Sequence, residues 1–339
     1  MNDISGEAAL APANFSAAVH EAEAIAEKMV SVRRQIEKTI FGQPDVIEQS
    51  LILLLAGGHG LIIGVPGLAK TKLVGAIGTV LGLESKRIQF TPDLMPADIL
   101  GSEILDEGEN HHRAFRFVKG PVFTQMLMAD EINRASPRTQ SALLQAMQER
   151  QVTVAGVRYD LPKPFHVLAT QNPLEQEGTY PLPEAQLDRF LLQIDIGYPD
   201  RDAEKQMLLA TTFGDEAALE AIADPATLIA AQNLVRHIPV GDQVVEAILR
   251  LVRSGRPEKD GDSNLRDTIA WGPGPRASQA FMLAVRARAL LQGRFAPSVD
   301  DVAALAEPVL RHRMALTFAA RAEGQTISAV IQRLCRKAL

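Results

Sequence analysis

The first two hundred residues alternate between short segments with strand-like composition and longer segments with helical periodicity. Segments that predict strands lie at 61–63, 87–90, 126–129, 165–170 and 190–196. Segments that predict helices lie at 16–38, 45–56, 70–81 and 137–150. Apolar strands separated by helices are typical of a mostly parallel sheet that is covered on both faces. The pattern therefore predicts an α/β core.

Two segments interrupt this alternation, and both predict hairpins. Residues 99–118 have a polar turn at 106–110, and residues 151–160 turn at 155–156. We interpret both as insertions into the core, on loops of the kind that often contact partners. Beyond residue 200 the chain is rich in alanine, leucine and arginine without a clear strand pattern, which predicts a smaller all-helical domain.

Composition and charge narrow the class of protein. The 339 residues are 46% hydrophobic and 22% charged, which is ordinary for a folded protein with room for two domains. The net charge of −6 opposes non-specific binding to nucleic acid. The single cysteine, Cys335, fits a reducing compartment. Because we find neither a signal-peptide pattern nor an apolar segment long enough to span a membrane, we expect a cytoplasmic protein.

The most informative feature is a glycine-rich stretch between the first predicted strand and a helix. It reads Gly64-Val65-Pro66-Gly67-Leu68-Ala69-Lys70-Thr71, and the helix opens at Lys70-Thr71-Lys72. A loop of this kind directs backbone N–H groups and a helix N-terminus at one point, which suits a polyphosphate. Lys70 can reach the β- and γ-phosphates, and the Thr71 hydroxyl can hold Mg²⁺. The alternative is an ordinary strand–turn–helix connection.

The stretch departs from the strict phosphate-loop pattern at one position. That pattern has glycine directly before the lysine, and here the residue is Ala69. Alanine adds one methyl group, which a loop can tolerate if it needs no positive φ there. The interpretation as a phosphate loop thus assumes that Ala69 does not need a positive φ.

Polar residues after two later strands could complete such a site. Asp130 and Glu131 follow the predicted strand at 126–129, where side chains project into the ligand crevice of a parallel sheet. Asp130 can hold Mg²⁺ through water, and Glu131 can orient or deprotonate the water that attacks the γ-phosphate. Asn172 follows the next strand and can donate to the γ-phosphate. Its alternative role is that of a turn asparagine before Pro173.

Two arginines are candidates for stabilising charge during the reaction. Arg189 enters the last predicted strand, and Arg276 opens a helix after the turn at 272–275. Arginine supplies a planar, permanently charged fork that suits a triphosphate under attack. The alternative for each residue is a surface ion pair.

With these residues placed, the chain resembles AAA+ ATPases, and specifically the MoxR family. The resemblance covers nearly everything from about residue 38 to 339, and it rests on segments at 40–43, 64–71, 129–134, 171–173 and 178–190. It implies an AAA+ core with an αβα sandwich at 39–203 and an all-helical lid domain at 204–339. The remaining segment, 1–38, is a tail with an amphipathic helix.

The resemblance assigns nucleotide-binding roles by position. Residues 64–71 match the Walker A loop, and Asp130 and Glu131 match the Walker B pair. Phe41 and Gly42 would border the adenine, largely through their backbone.

The remaining matches concern the two sensor residues, the arginine finger and the segments that line the pore of a ring. Asn172 matches sensor 1, and Arg189 matches the arginine finger that reaches the nucleotide of a neighbouring subunit. Arg276 matches sensor 2, which acts either in its own subunit or across the interface. The hairpins at 99–118 and 151–160 match inserts that line a central pore.

The family also implies cofactors and partners. The cofactors are ATP and Mg²⁺, and the assembly is a homo-oligomeric ring, typically a hexamer. The implied role is chaperone-like remodelling or activation of a protein client, often a metal-dependent one, commonly with a von Willebrand A-type partner.

Two alternatives from other classes stay open. A nucleic-acid translocase or helicase loader would use cations in or beside the hairpins, namely Arg113, Arg116, Lys119 and Arg158. Opposing it are acidic residues at the tip of the first hairpin, namely Asp106, Glu107 and Glu109. A scaffold that binds ATP without turnover is less favoured, because Glu131, Asn172 and Arg189 are all present.

Overall fold

The computed structural model describes residues 12–107, 113–175, 178–212, 218–257, 265 and 267–339. Up to residue 200 the helices are α1 (Pro12–Glu37), α2 (Pro44–Leu55), α3 (Lys70–Val80), α4 (Pro96–Leu100), α5 (Pro137–Glu149) and α6 (Glu184–Leu187). The strands are β1 (Gly60–Gly64), β2 (Ser85–Gln89), β3 (Gly101–Glu107), β4 (Arg113–Lys119), β5 (Met126–Asp130), β6 (Gln151–Val154), β7 (Val157–Asp160), β8 (His166–Gln171) and β9 (Leu192–Ile196). The predicted helices and strands of the core are all present, with bounds that differ by a few residues.

Five of these strands form one parallel sheet in the order β2-β5-β8-β1-β9. Every neighbouring pair is parallel, with Gln89 opposite Asp130, Ala129 opposite Ala169 and Ile63 opposite Gln171. The carboxyl ends of all five strands therefore lie along one edge. The glycine-rich stretch, Asp130 and Asn172 lie at the carboxyl ends of β1, β5 and β8, which occupy adjacent places in the sheet.

The sheet is covered on both faces, as the apolar strands predict. Neighbouring residues on a strand point to opposite faces, so Ile62 belongs to one buried cluster and Leu61 to the other. The cluster around Ile62 includes residues of α1, α2 and α3, whereas the cluster around Leu61 includes residues of α5. The predicted α/β fold class is confirmed.

Both predicted hairpins are present beside the sheet. β3 pairs with β4 and β6 pairs with β7, each antiparallel. Residues 108–112, which include most of the predicted turn of the first hairpin and Glu109, lie outside the described residues. The two hairpins meet where the ring of Phe117 stacks on that of Tyr159, with centroids 4.2 Å apart.

The region after residue 200 is helical, with a small addition that the sequence did not predict. Its helices are α7 (Arg201–Thr212), α8 (Pro225–His237), α9 (Asp242–Ser254), α10 (Pro275–Leu291), α11 (Val299–Leu310), α12 (Phe318–Ala322) and α13 (Ile327–Ala338). The addition is an antiparallel pair of β10 (Ile269–Trp271) and β11 (Ala315–Leu316). Strands of two and three residues are too short to leave a periodic pattern. Among the described residues, no helix is long and apolar enough to cross a membrane.

A buried ionic network joins the N-terminal helices to the C-terminal ones. Glu48 on α2 accepts hydrogen bonds from Arg33 at 3.1 Å and from Arg288 at 3.0 Å. Arg288 also donates at 2.5 Å to Asp301, a fully buried carboxylate that Arg294 contacts as well. A buried carboxylate needs such partners, since removing one would leave an uncompensated charge. The network therefore ties α1, α2, α10 and α11 together.

Two buried histidines link the amino edge of the sheet to α8. His59 Nδ1 accepts a hydrogen bond from the backbone N–H of Val167 at 3.0 Å, and His166 Nε2 accepts one from Gln232 at 3.0 Å. The other nitrogen of each ring donates to a backbone carbonyl oxygen, at 3.1 and 2.8 Å. Burial lowers the pKa of His59 to about 3 and that of His166 to about 4, so both rings are neutral at pH 7.

We expect acid to destabilise the fold through this pair. The unfolded chain binds protons on both rings below its ordinary pKa near 6.5, whereas the folded chain does not until about pH 4 or below. The free energy of unfolding should therefore fall as the pH drops from 7 to 5, by about 2 kcal/mol for each histidine. Urea unfolding at pH 7 and pH 5 measures this fall. In His166→Gln the fall should be smaller by about 2 kcal/mol, and an unchanged pH dependence in that variant would contradict the assignment.

Candidate functional site

The glycine-rich stretch forms an open loop between β1 and α3. β1 ends at Gly64 and α3 begins at Lys70, so the free N–H groups of the first helical turn face the loop. Gly67 has a φ of +87°, and a Cβ added to it would meet nothing within 4 Å. The tip of the loop thus leaves room for a group the size of a phosphate.

The backbone conformation of Ala69 differs from the assumption that this residue does not need a positive φ.

 This residue has a φ of +56° and a ψ of +22°, which lies in the left-handed region. The expectation that the loop needs no positive φ at Ala69 is therefore wrong. A left-handed alanine costs about 1–2 kcal/mol relative to a right-handed one, because its Cβ crowds the following carbonyl. The chain accepts this strain where it turns from strand to helix, as often occurs at functional sites.

The loop and the two predicted carboxylates line one cavity of about 450 Å³ at the carboxyl edge of the sheet. Its lining includes Lys70, Thr71, Asp130 and Glu131. Lys70 Nζ donates to the carbonyl oxygens of the loop, to that of Gly64 at 2.5 Å and to that of Val65 at 3.2 Å. Burial lowers the pKa of Lys70, and the charges of Asp130 and Glu131 oppose that shift. We call this space the phosphate cavity.

Asp130 is held by an arginine and a threonine that the sequence analysis missed. Arg87 on β2 donates to Asp130 Oδ2 from Nη2 at 2.5 Å and from Nε at 3.1 Å. The Thr170 hydroxyl on β8 donates to Asp130 Oδ1. Both oxygens of the predicted metal ligand are therefore engaged by protein donors, and Arg87 is the more exposed of the two partners.

Glu131 is held in a strained and specific position. Its φ is +55°, in the left-handed region, and its backbone N–H donates to Thr170 Oγ1 at 2.9 Å. Its Oε2 accepts hydrogen bonds from Gln89 at 2.6 Å and from Arg134 at 2.9 Å. The sequence offers one weak signal for the partners of Asp130 and Glu131. Arg87 and Gln89 lie two residues apart, so on a strand their side chains share one face, and that strand pairs with β5.

Asn172 lies buried just after β8, and its side chain has a role in the local turn. Its Oδ1 accepts a hydrogen bond from the backbone N–H of Leu174 at 3.1 Å, which is the geometry of an asparagine turn. The turn role that the sequence left open is therefore present. Because the oxygen is engaged in the turn, the NH₂ group is the half of the amide that is suited to a phosphate.

The two predicted arginines lie together in a second cavity, away from Lys70. Arg189 and Arg276 both line a space of about 280 Å³, and neither is among the residues that line the phosphate cavity. Arg276 Nη1 lies 3.8 Å from Asp188 Oδ2. Asp188 is held in turn by the buried Arg313, whose Nε donates to it at 2.8 Å. Arg313 lies far from Asp188 along the chain, and no local pattern in the sequence indicates this contact.

A third cavity, of about 310 Å³, adjoins the loop on the side of α7. Phe41 lines it together with the loop residues Pro66 and Leu68 and with Lys72. Gly42 has a φ of +68°, and a Cβ on it would collide with Ala203 on α7. Of the two predicted adenine residues, Phe41 thus lines the cavity beside the loop, and Gly42 lets the chain pass close to α7.

The chain matches known families over both of its regions. The family described as ATPases associated with various cellular activities (AAA) matches residues 59–192, and the AAA lid domain matches residues 262–334. Chaperone MoxR1 of Mycobacterium tuberculosis is 40% identical over 92% of this chain and 83% of its own length. Protein MoxR of Methylorubrum extorquens is 30% identical over 84% of this chain and 86% of its own. The crystal structure of a candidate ATPase from Cytophaga hutchinsonii matches with a TM-score of 0.89 at 35% sequence identity. The match covers 96% of this chain and 98% of that one.

The geometry predicts that Thr170 stabilises the carboxyl edge. Thr170→Val keeps the shape of the side chain but removes the donor to Asp130 and the acceptor for the N–H of Glu131. Because these buried groups would lose a partner, we expect a loss of about 1–3 kcal/mol in the free energy of unfolding, measured with urea at pH 7. Thr79→Val, at an exposed position of α3, is the matched control and should change stability by less than about 0.5 kcal/mol. Equal stability of the two variants would contradict the role of Thr170.

Proposed function

Since the chain belongs to the MoxR family of AAA+ ATPases, we propose that it hydrolyses ATP with Mg²⁺ as a homo-oligomeric ring that remodels protein clients. One observation supports hydrolysis above all others. Lys70 and Thr71 share a single cavity with Asp130 and Glu131, so groups suited to a phosphate and groups suited to a metal and a water face the same space. We propose the cytoplasm as its location, since ATP is available there.

In this proposal the loop binds the triphosphate. The N–H groups at the start of α3 and along the loop donate hydrogen bonds to the phosphate oxygens, and Lys70 exchanges its carbonyl partners for phosphate oxygens. The cavity beside Phe41 then takes the adenine, because it adjoins the loop and has a mostly apolar lining. Gly64 to Lys72, with Phe41 and Gly42, make up the proposed nucleotide site.

The oxygen atoms of Thr71 and Asp130 form a suitable ligand set for Mg²⁺, which prefers oxygen ligands and retains several waters. When bound there, the ion would neutralise charge on the β- and γ-phosphates. Arg87 now donates to the Asp130 oxygen that faces it, so Asp130 would bind the ion through water or after Arg87 moves aside. Thr170 would keep the other oxygen in place.

Glu131 is the proposed base for the attacking water. Gln89 and Arg134 both donate to its Oε2 and so orient the carboxylate. The NH₂ group of Asn172 would assist by holding the γ-phosphate.

We propose that Arg189 and Arg276 act on the nucleotide of a neighbouring subunit. They lie together in the second cavity, and neither lines the phosphate cavity of its own chain. An arginine that reaches a triphosphate from outside stabilises the charge of the transition state. Such an arrangement requires an oligomer, so it is part of the same proposal as the ring.

The surface of the first hairpin favours a protein client over nucleic acid. It exposes large apolar side chains, among them Ile104, Leu105, Phe115 and Val118. Two of the four hairpin cations that a nucleic acid would need are paired with carboxylates: Arg116 with Asp106 at 2.8 Å, and Arg158 with Asp160 at 3.3 Å. Involvement of a von Willebrand A-type partner remains part of the proposal on the ground of family membership.

The role of Glu131 can be tested directly. Glu131→Gln keeps the size of the side chain but cannot accept a proton, so we expect kcat for ATP hydrolysis to fall by about 10²–10⁴ while ATP binding is retained. Phosphate release measures the first quantity, and titration with a fluorescent ATP analogue measures the second. Glu149→Gln, at an exposed position of α5, is the control and should keep the wild-type rate. Normal turnover by Glu131→Gln would exclude Glu131 as the base.

The role of Arg189 across a subunit interface gives a separate prediction. Arg189→Ala should reduce kcat by about 10³-fold or more and leave ATP binding nearly unchanged. Mixing this variant with Glu131→Gln should restore turnover, because some interfaces then combine an intact Glu131 with an intact Arg189. Arg336→Ala, an exposed change on α13, should leave the rate unchanged. The interface role fails if mixed subunits that demonstrably co-assemble show no turnover above that of either variant alone.

A further inference from the structure

A basic cavity lies at the amino edge of the sheet, at the opposite end of the strands from the phosphate cavity. Its volume is about 220 Å³. It lies between the turn before β1, the C-terminal end of α5, the segment that leads into β8, and α8. The positively charged side chains in its lining are Arg150, Lys163 and Arg236.

The two arginines converge on one point. Gly57 has a φ of +71°, and the terminal Nη2 atoms of Arg150 and Arg236 each lie 4.0 Å from the place that a Cβ on Gly57 would occupy. The two nitrogens are therefore no more than twice that distance apart. Arg150 reaches this place from the left-handed end of α5, where its own φ is +54°. A side chain as large as arginine rarely takes this conformation without a structural reason.

This concentration of positive charge has no carboxylate partner in the described part of the chain. Arg150 donates to the carbonyl oxygen of Gly57 at 3.0 Å, which supplies no full negative charge. Burial lowers the pKa of Arg150, and the like charge of Arg236 lowers it further. The half-buried Arg288 and the buried Arg313, by contrast, are each paired with an aspartate. Two guanidinium groups kept close without an acid would be stabilised by an anion.

We propose that this cavity binds a phosphate dianion, either free or as the terminal group of a small phosphomonoester. Two planar guanidinium forks suit a tetrahedral oxyanion, and charge-assisted hydrogen bonds of this kind are strong. A dianion would balance both arginines, whereas a single carboxylate would balance only one. Arg150, Lys163 and Arg236 all retain exposed surface, so the anion can enter from solvent.

The site would join parts of the chain that are far apart in sequence. Arg150 caps the C-terminal end of α5, whereas Arg236 lies near the end of α8 in the C-terminal region. α8 already contacts the sheet through Gln232, which donates to His166 on β8 and also to the carbonyl oxygen of Leu54 on α2. A bound phosphate would add a second connection between α8 and the sheet.

Calorimetric titration of the full chain with inorganic phosphate tests the site. The measurement uses Lys70→Ala, which weakens the loop as a competing phosphate site, and is repeated with Lys70 intact. In both backgrounds Arg236→Gln should weaken binding at this site by about tenfold or more, since it removes a hydrogen bond between charged groups. Arg250→Gln, an exposed change on α9, is the matched control and should leave binding unchanged.

Three further arms decide the identity of the ligand. Glycerol 3-phosphate tests whether a phosphomonoester is accepted, and binding of phosphate with or without it supports the site. Acetate at equal ionic strength should bind at least about tenfold more weakly than phosphate, because it carries one charge. Equal binding of acetate, or equal phosphate affinity in Arg236→Gln and Arg250→Gln, would overturn the proposal. Because ATP hydrolysis plays no part in this readout, the outcome is independent of the proposed function.

Discussion

The parallel pairing of β1, β5 and β8 is the constraint on which the candidate site depends. Parallel strands place all of their carboxyl ends at one edge, and the order β2-β5-β8-β1-β9 puts β8 between β5 and β1. The Thr170 hydroxyl can then contact both Asp130 and the backbone of Glu131, while the loop after β1 faces them. One hydroxyl thus connects two strands at the point where the proposed chemistry takes place.

Local patterns were sufficient to predict the strands, the loop and the carboxylates. Apolar runs indicate buried strands because only a sheet covered on both faces can bury every residue of a strand such as β5. The positions of Asp130 and Asn172 at the carboxyl edge then follow, since Asp130 ends such a strand and Asn172 comes directly after one. What the sequence could not show is which donors hold them, because Arg87 and Thr170 become neighbours of Asp130 only through strand order.

Longer-range contacts were beyond prediction for the same reason. The buried charges of Asp301 and Arg313 look like ordinary surface residues in the sequence, and only packing reveals that each has partners. The grouping of Arg189 with Arg276 depends on how the C-terminal helices rest on the sheet. The backbone of Ala69 was misjudged because a left-handed residue is expected to be glycine, and alanine gives no sign of the strain.

The two edges of the sheet differ in their balance of acidic and basic side chains. At the carboxyl edge, acids and bases are both present: Asp130 and Glu131 face Lys70, and each carboxylate already has an arginine partner. The strained residues there, Ala69 and Glu131, border the same cavity, which is consistent with a site whose geometry matters more than its stability. At the amino edge, Arg150 and Arg236 both approach Gly57 without an acid partner in the described residues, and the nearby histidines stay neutral. A chain with a net charge of −6 has more carboxylates than basic side chains. The lack of a carboxylate partner for these two arginines among the described residues is therefore a local feature, which a bound anion would explain.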